Sequence, residues 1–367
     1  MKVVFVTPTK EKGGIGSYSK QIVKHLSRLK KIDLVEINNH SKIPRSYDIL
    51  HIQHHYSFFG LPLPFFNRFN SYLKNVKPIV VVTVHDLITS PPMGLPYVAR
   101  AILAYLIRIL NKQSFVNSNI NHLIVHSQSQ LFLLNKMGVS KDKISLLPMG
   151  VPRGVDTKDD PLLTKKAWDM EGKIILTILG FIFRRKGYEI ALKALKKLKN
   201  KNIVLVIAGD FNSKSLIDRD YKDVLIKYIE ENKLENQVII TGYLSDEKIR
   251  ELILITDVVL APFRGNYGSP YSLSTAIGFN KPIISSDIQP VLEIQRRMKC
   301  MEIFKEGDSN DLAMKISKLL KNSDHRKKLA GRAREYSLAY GFDSLAGQHK
   351  KIYDYLIKQS ELLSKNR

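Results

Sequence analysis

The chain has 367 residues, 44% of them hydrophobic, and a formal net charge of +24 at pH 7. That length favours two domains, each able to bury a full core, and the single cysteine, Cys300, excludes an internal disulfide framework and any cysteine-built metal cage. The charge suits an anionic partner: nucleic acid, an anionic membrane surface or a phosphorylated substrate. Met1 leads into KVVFVTPT, the first expected strand, with no charged leader or small-residue cleavage site. No apolar run is long enough to span a bilayer, so a cytoplasmic protein is expected. Gly13-Gly14-Ile15-Gly16 follows, and helical spacing runs from Ser17 to Leu29 through Tyr18, Ile22, Val23 and Leu26. A glycine loop between strand and helix lets backbone approach a phosphate. The final glycine and trailing acid of a dinucleotide fingerprint are missing.

Short strands are expected around residues 33–37 and 49–53, the second leading into His51, His54 and His55. These histidines lack a paired carboxylate or a helical spacing, so hydrogen bonding is expected of them before zinc. Residues 78–84, PIVVVTV, form the clearest strand of this half and deliver His85-Asp86 to its carboxyl end. Functional groups collect at such ends in open α/β sheets. Between Ile49 and Lys141 the only acidic residue is Asp86, against Arg68, Lys74, Lys77, Arg100, Arg108, Lys112, Lys136 and Lys141. The same window holds FFGLPLPFFNRF and VARAILAYLIRIL, which suit either an interfacial helix on an anionic membrane or a core helix with solvated charges. No nucleic-acid motif or dense basic run is visible. Strands at residues 122–126, with Ser127 at the end, and at residues 144–148 close the half.

Residues 150–172 lose periodicity and read as a linker. A second series then begins: a strand at Ile174–Leu179, a loop Gly180 to Gly187 holding Arg184, Arg185 and Lys186, and a helix through Ala191, Leu192, Leu195 and Leu198. A strand at Val204–Ala208, a helix at 224–231, a strand at 238–241 and a helix at 246–253 follow, with Gly242-Tyr243-Leu244 as a loop. Next come a strand at Val258–Ala261, a loop from Pro262 to Pro270, a helix over 271–279 and a strand at 282–286. Ser272 and Ser274 fall in that helix's first turn, where unpaired N–H groups favour an anion. Surface helices are expected at 312–320 and 324–336, then a last helix at 345–363. Two doubly wound sheets in tandem imply a ligand cleft between them.

GGIG after strand one, TVHD, LPMG, GFIFRRKG, AGD, TGYL and the 256–290 unit occur in the order seen in glycosyltransferase family 4. The chain resembles that family from about Lys2 to Ser286. The resemblance implies an α/β GT-B fold, two Rossmann-like doubly wound parallel-sheet domains facing across a cleft. Residues 1–155 would be the acceptor side and 170–340 the nucleotide-sugar side, with a helix at about 343–367 returning to the first domain. It implies a retaining hexosyltransferase that uses a nucleotide-diphosphate sugar, without a required metal or other cofactor. The acceptor would be a lipid-linked or polysaccharide glycan at the cytoplasmic membrane face.

By position, Lys186 with Arg184 or Arg185 would neutralise the donor diphosphate, whose charge builds as the glycosidic bond breaks. His85 would face the sugar, and Gly14 and Gly16 would approach donor phosphates or an acceptor headgroup. Gly242, Tyr243 and Leu244 would border the base. Leu273 and Ser274 would cap the diphosphate, with Tyr267, Gly268, Ser269 and Thr275 beside the donor. In one respect the chain departs from the family. The usual pair of glutamates separated by seven residues is replaced by Tyr267 and Thr275, which puts sugar and ribose contacts in doubt. It also removes any paired-carboxylate mechanism, and a front-face substitution assisted by the leaving phosphate is expected. A non-catalytic GT-B subunit that binds a partner transferase or sugar nucleotide is the alternative. A Rossmann-type oxidoreductase or nucleic-acid binder ranks behind both.

Overall fold

The computed structural model describes residues 1–8, 13–36, 46–60, 67–73, 76, 79–87, 96–116, 119–154, 159–211, 220–265 and 270–365. The chain divides into two compact units, the first made of Met1–Gly150 with Tyr340–Arg367 and a short stretch ending at Tyr271, the second of the remainder.

In the first unit β1 (Lys2–Thr7) leads to α1 (Gly14–Leu26), then β2 (Lys31–Glu36) and β3 (Ile49–His54). They are followed by α2 (Phe69–Leu73), β4 (Ile79–Val84), α3 (Tyr97–Phe115), β5 (His122–Val125), α4 (Gln128–Met137) and β6 (Ile144–Leu146). Among the described residues the six strands form one parallel sheet in the order β2-β1-β3-β4-β5-β6. Strand alternation sorts the side chains into two cores. Val3, Phe5, Ile49, Val81 and Ile124 pack beneath α1, while Val4, Val6, Leu50, Ile52, Val82 and Val125 face α3 and α4. Parallel strands covered on both faces read as continuous apolar runs, which is why KVVF and IVVV are legible as strands.

The first helix begins at Gly14, three residues earlier than the apolar spacing predicts, with Gly13 extended before it at φ −160°. The glycines therefore coil into its first turn, where Ser17 N–H donates to Gly13 C=O at 3.0 Å. Glycine's poor helix propensity, at Gly14 and Gly16 on either side of Ile15, hides that start.

The second unit opens with α5 (Pro161–Ala167) and continues with β7 (Ile174–Leu179), α6 (Tyr188–Leu198), β8 (Ile203–Ala208), α7 (Tyr221–Glu231) and β9 (Val238–Ile240). Then come α8 (Asp246–Ile255), β10 (Val258–Ala261), α9 (Tyr271–Gly278), β11 (Ile283–Ser286), α10 (Gln289–Arg297) and β12 (Glu302–Phe304). Two more helices, α11 (Ser309–Lys321) and α12 (Ser323–Ala339), complete it. The described strands again form one parallel sheet, ordered β12-β11-β10-β7-β8-β9. The chain runs from β7 outward to β9, then returns to the other side of β7 as β10. That reversal makes the carboxyl ends of β7 and β10 a topological switch point, where open α/β sheets bind ligands.

Two expectations need correction here. The stretch expected to be linker carries α5, because Asp160 accepts Leu162 N–H at 2.7 Å as an N-cap and Pro161 takes the first helical position. The helix expected on the surface at 312–320 is a core helix: Leu312, Ile316 and Leu319 are buried with Leu192 and Leu195. Its charged residues are confined to the opposite face, and the count of charges concealed the stripe.

The last helix, α13 (Phe342–Lys365), belongs to the first unit. Phe342, Leu345, Ala346, His349 and Tyr353 are its buried residues, and Phe342, Leu345 and Tyr353 pack with Tyr18, Ile22 and Leu26 of α1. Arg28–Asp343 at 3.4 Å and Lys30–Asp354 at 3.2 Å flank the contact. Being partly exposed they contribute little, and the apolar seam holds the helix.

Candidate active site

In the second unit β7 ends at Leu179 and the chain turns at Gly180, whose φ is +94°. A short turn, Arg184–Lys186, then brings Lys186 back over the carboxyl end of the strand. Its Nζ donates to Leu179 C=O at 2.6 Å and to Ser272 Oγ at 3.2 Å. The side chain is 9% exposed, and burial pushes its pKa down from 10.5 to about 7. Among the described residues no carboxylate pairs with it. Two glycines make this possible. A Cβ on Gly180 would lie 2.5 Å from Lys186 Nζ, and one on Gly187, at φ +67°, would lie 2.0 Å from Pro262 C=O.

Ser272 stands in the first turn of α9, followed by buried Leu273 and Ser274. A cation without a counter-ion, beside the N–H groups of a helix start, has the chemistry that suits an anion such as a diphosphate. A bound diphosphate would favour the charged lysine. Its binding is therefore expected to draw a proton onto Lys186, and affinity to fall as pH rises above about 7. Calorimetry at pH about 8 in two buffers of different ionisation enthalpy should show this uptake; buffer-independent heats would contradict it.

The three basic residues of the turn do not act together. Arg184 pairs with Asp220 at 2.7 Å and lies 4.8 Å from the Tyr221 ring, so it is held against the start of α7. Arg185 is exposed on the same turn. Gly242, at φ +69°, and Leu244 and exposed Tyr243 follow β9, two strands from β7 on the same sheet edge. Thr275 is half-buried within α9. Tyr267, Gly268 and Ser269 lie outside the described residues, as do Lys74, Lys77 and residues 61–66 of the apolar window.

A second polar cluster lies at the carboxyl edge of the first sheet. His85 directly follows β4 and is buried, with Nε2 2.7 Å from Gln53 Oε1. Gln53 Nε2 lies 3.2 Å from His51 Nε2, which also meets Thr83 Oγ1 at 2.8 Å. His51 Nδ1 bonds to Tyr353 Oη of α13. With the Gln53 carboxamide oxygen as acceptor, the ring proton of His85 sits on Nε2 and Nδ1 keeps its lone pair. Burial first, then the neighbouring His126, holds His85 well below the usual histidine range. It is a neutral hydrogen-bonding group at physiological pH.

Tyr18 lies edge-on to both His85 and His126, at 5.2 and 5.3 Å between ring centres. Gly14 is exposed and Gly16 buried in the first turn of α1, whose N-terminus follows β1 at this edge. His54 sits apart in a box of Tyr56, Phe59, Phe69 and Phe115, and burial there pushes its pKa to about 3. Sequence reasoning found His85 but missed Gln53, Thr83 and Tyr353 as its supports. Their signal was available: Gln53 is a polar residue inside a fully buried strand, and such a residue needs partners.

Residues 162–336 match the glycosyl transferases group 1 family. The second unit carries a glycosyl transferases group 1 domain. The buried lysine and the N-terminus of α9 both fall within this group 1 segment. Over 207 residues the chain is 23% identical to alpha-D-kanosaminyltransferase of Streptomyces kanamyceticus, covering 54% of this chain and 51% of that enzyme. The chain thus spans about half the length of that relative. Over 276 residues it is 24% identical to the N,N'-diacetylbacillosaminyl-diphospho-undecaprenol alpha-1,3-N-acetylgalactosaminyltransferase of Campylobacter jejuni, covering 72% of this chain and 69% of that one. The fold is also that of Anabaena Alr3699/HepE, solved in complex with UDP and glucose, with a TM-score of 0.75. The identity is 14%, over 97% of this chain and 100% of that one. The group 1 domain and its companion unit thus have the GT-B architecture of two Rossmann-like parallel sheets.

Proposed function

We propose that this protein is a retaining glycosyltransferase of the family 4 type, moving a sugar from a nucleotide-diphosphate donor to a lipid-linked or glycan acceptor at a cytoplasmic membrane face. The observation that carries the reading is Lys186, a buried cation with no carboxylate partner among the described residues, set beside the start of α9 in a group 1 domain. Burying an ammonium without a counter-ion is costly, and a diphosphate leaving group supplies the missing charge. Lys186 and the first-turn amides around Leu273 would stabilise the departing nucleotide diphosphate, which requires no metal in this scheme. Neutral His85 would hold a hydroxyl through Nδ1. With no carboxylate pair at positions 267 and 275, the departing phosphate would take the acceptor's proton on the face it leaves.

The activities of the two relatives support a glycosyl donor, and the undecaprenol-linked substrate of the second supports a lipid-linked acceptor. The test is thermal stability with UDP, GDP, ADP and their sugar conjugates, with NAD and a DNA duplex as controls. At a hundredfold excess over its dissociation constant a ligand adds about 2.7 kcal/mol, which raises the melting temperature by roughly 5–10 °C for a domain of this size. A selective shift with one nucleotide is expected and names the donor base. Silence across all sugar nucleotides would leave the non-catalytic subunit, which the absent glutamates favour.

A further inference from the structure

On the other core face of the first unit, α3 and α4 bound a groove of about 410 Å³. Its floor is apolar, with Ile107, Leu133 and Met137, and its rim carries Arg108, Lys112 and Lys136. All three cations are exposed, and among the described residues none of them forms an ion pair. The nearest stretch of sequence offers them no counter-charge. Asp86, the only acidic residue between positions 49 and 141, lies 3.8 Å from His55.

The groove continues into an apolar surface. The first turns of α3 leave Tyr97, Val98, Ile102 and Tyr105 exposed by 87, 67, 57 and 65%. Val98, Ile102 and Tyr105 stand at i, i+4 and i+7, a single stripe of the helix. On α4, Phe132 is exposed by 64%. A water-facing helix presents such a stripe only where something covers it. A protein partner would have to bring carboxylates to three like charges around an apolar floor. A leaflet of anionic lipid brings phosphates and acyl chains together, in the arrangement these side chains ask for.

We propose that the α3–α4 face docks this protein on an anionic bilayer, with the groove holding the phosphate of one anionic lipid among Arg108, Lys112 and Lys136. The acyl chain of that lipid would lie against Ile107, Leu133 and Met137, while Val98, Ile102 and Tyr105 enter the interface beside it. The inference gives a surface to the membrane location in the reading above. Its test uses no turnover, so it stands or falls apart from catalysis.

The full chain is floated with phosphatidylcholine vesicles and with vesicles that also contain phosphatidylglycerol. Binding is expected only to the second, and it should fall as salt rises. Each basic side chain near an anionic surface is worth roughly a fivefold change in partitioning. Arg108→Gln, Lys112→Gln and Lys136→Gln together should therefore weaken binding roughly a hundredfold. The same charge removed from exposed positions of the second unit, by Lys318→Gln, Lys327→Gln and Lys328→Gln, should change it about twofold or less if the effect is local. Ile102→Ser with Tyr105→Ser, both at exposed positions, should also release the protein while its melting temperature is kept. Equal binding to both vesicle types, or equal losses from the two charge triples, would overturn the proposal. Release by inorganic phosphate at matched ionic strength would assign the groove to a free anion and overturn the lipid.

Discussion

Replacing Lys186 with alanine is expected to lower sugar transfer by at least about 10²–10³-fold, roughly 3–4 kcal/mol of transition-state stabilisation. The effect should fall on kcat more than on donor KM, because the β-phosphate gains its second charge only as the bond breaks. Lys186→Arg is not expected to rescue. The ammonium sits between Leu179 C=O and Ser272 Oγ, and the planar guanidinium needs a wider, forked seat.

Folding should survive the loss, and the pH dependence of stability separates the two effects. The lysine titrates near 7 in the folded chain, against 10.5 as an ordinary side chain. Below about 7 it is protonated in both states and its burial opposes folding in full. Between there and 10.5 the unfolded chain holds more protons, so this group makes stability rise with pH. Denaturation curves of the wild type should rise relative to those of Lys186→Ala across that window. Parallel curves, or unimpaired turnover in the variant, would remove Lys186 from the site.

Gly187→Ala is expected to be the most damaging single methyl addition in the second unit. The residue sits at φ +67°, and its new Cβ would meet Pro262 C=O at 2.0 Å. Left-handed backbone alone costs a non-glycine residue roughly 1–2 kcal/mol. The clash is with main chain at the end of β10, which cannot rotate away as a side chain would. A total near 3 kcal/mol would lower the melting temperature by roughly 6–12 °C. Gly331→Ala is the matched control. That glycine lies inside α12, nothing lies within 4 Å of the added methyl, and the change should stabilise by about 0.5–1 kcal/mol. Similar melting temperatures for the two variants would show that the approach of residue 187 to Pro262 is not tight.

The core strands, their alternation with helices and the repetition of that pattern are local properties. Continuous apolar runs such as those at positions 3–6, 79–82 and 203–208 mark parallel strands wherever they occur, because both faces of such a sheet are covered. Most helices declared themselves through apolar spacing, and the order of short motifs was enough to point to glycosyltransferase family 4, of which the group 1 match and GT-B fold are the coarser confirmation. The sequence by itself also placed His85 and Lys186 at carboxyl ends of strands, since each directly follows or closely trails an unmistakable strand.

What it could not determine depends on side chains meeting across long separations. Arg184 and Lys186 are two residues apart and alike on paper. Only the turn after β7 sends one to Asp220 and the other to Leu179 C=O. Gln53, His51 and Tyr353 become supports of His85 because α13 returns 302 residues later to meet β3. The apolar windows around α3 posed the same problem. Periodicity shows that a helix has a stripe, but whether that stripe faces the core or water is decided by which neighbours the fold brings to it. Here Ile107 and Leu110 turn inward while Val98, Ile102 and Tyr105 do not. Burial and pairing are sums over the whole folded chain, so only the tertiary structure separates a buried, uncompensated lysine from a solvated one.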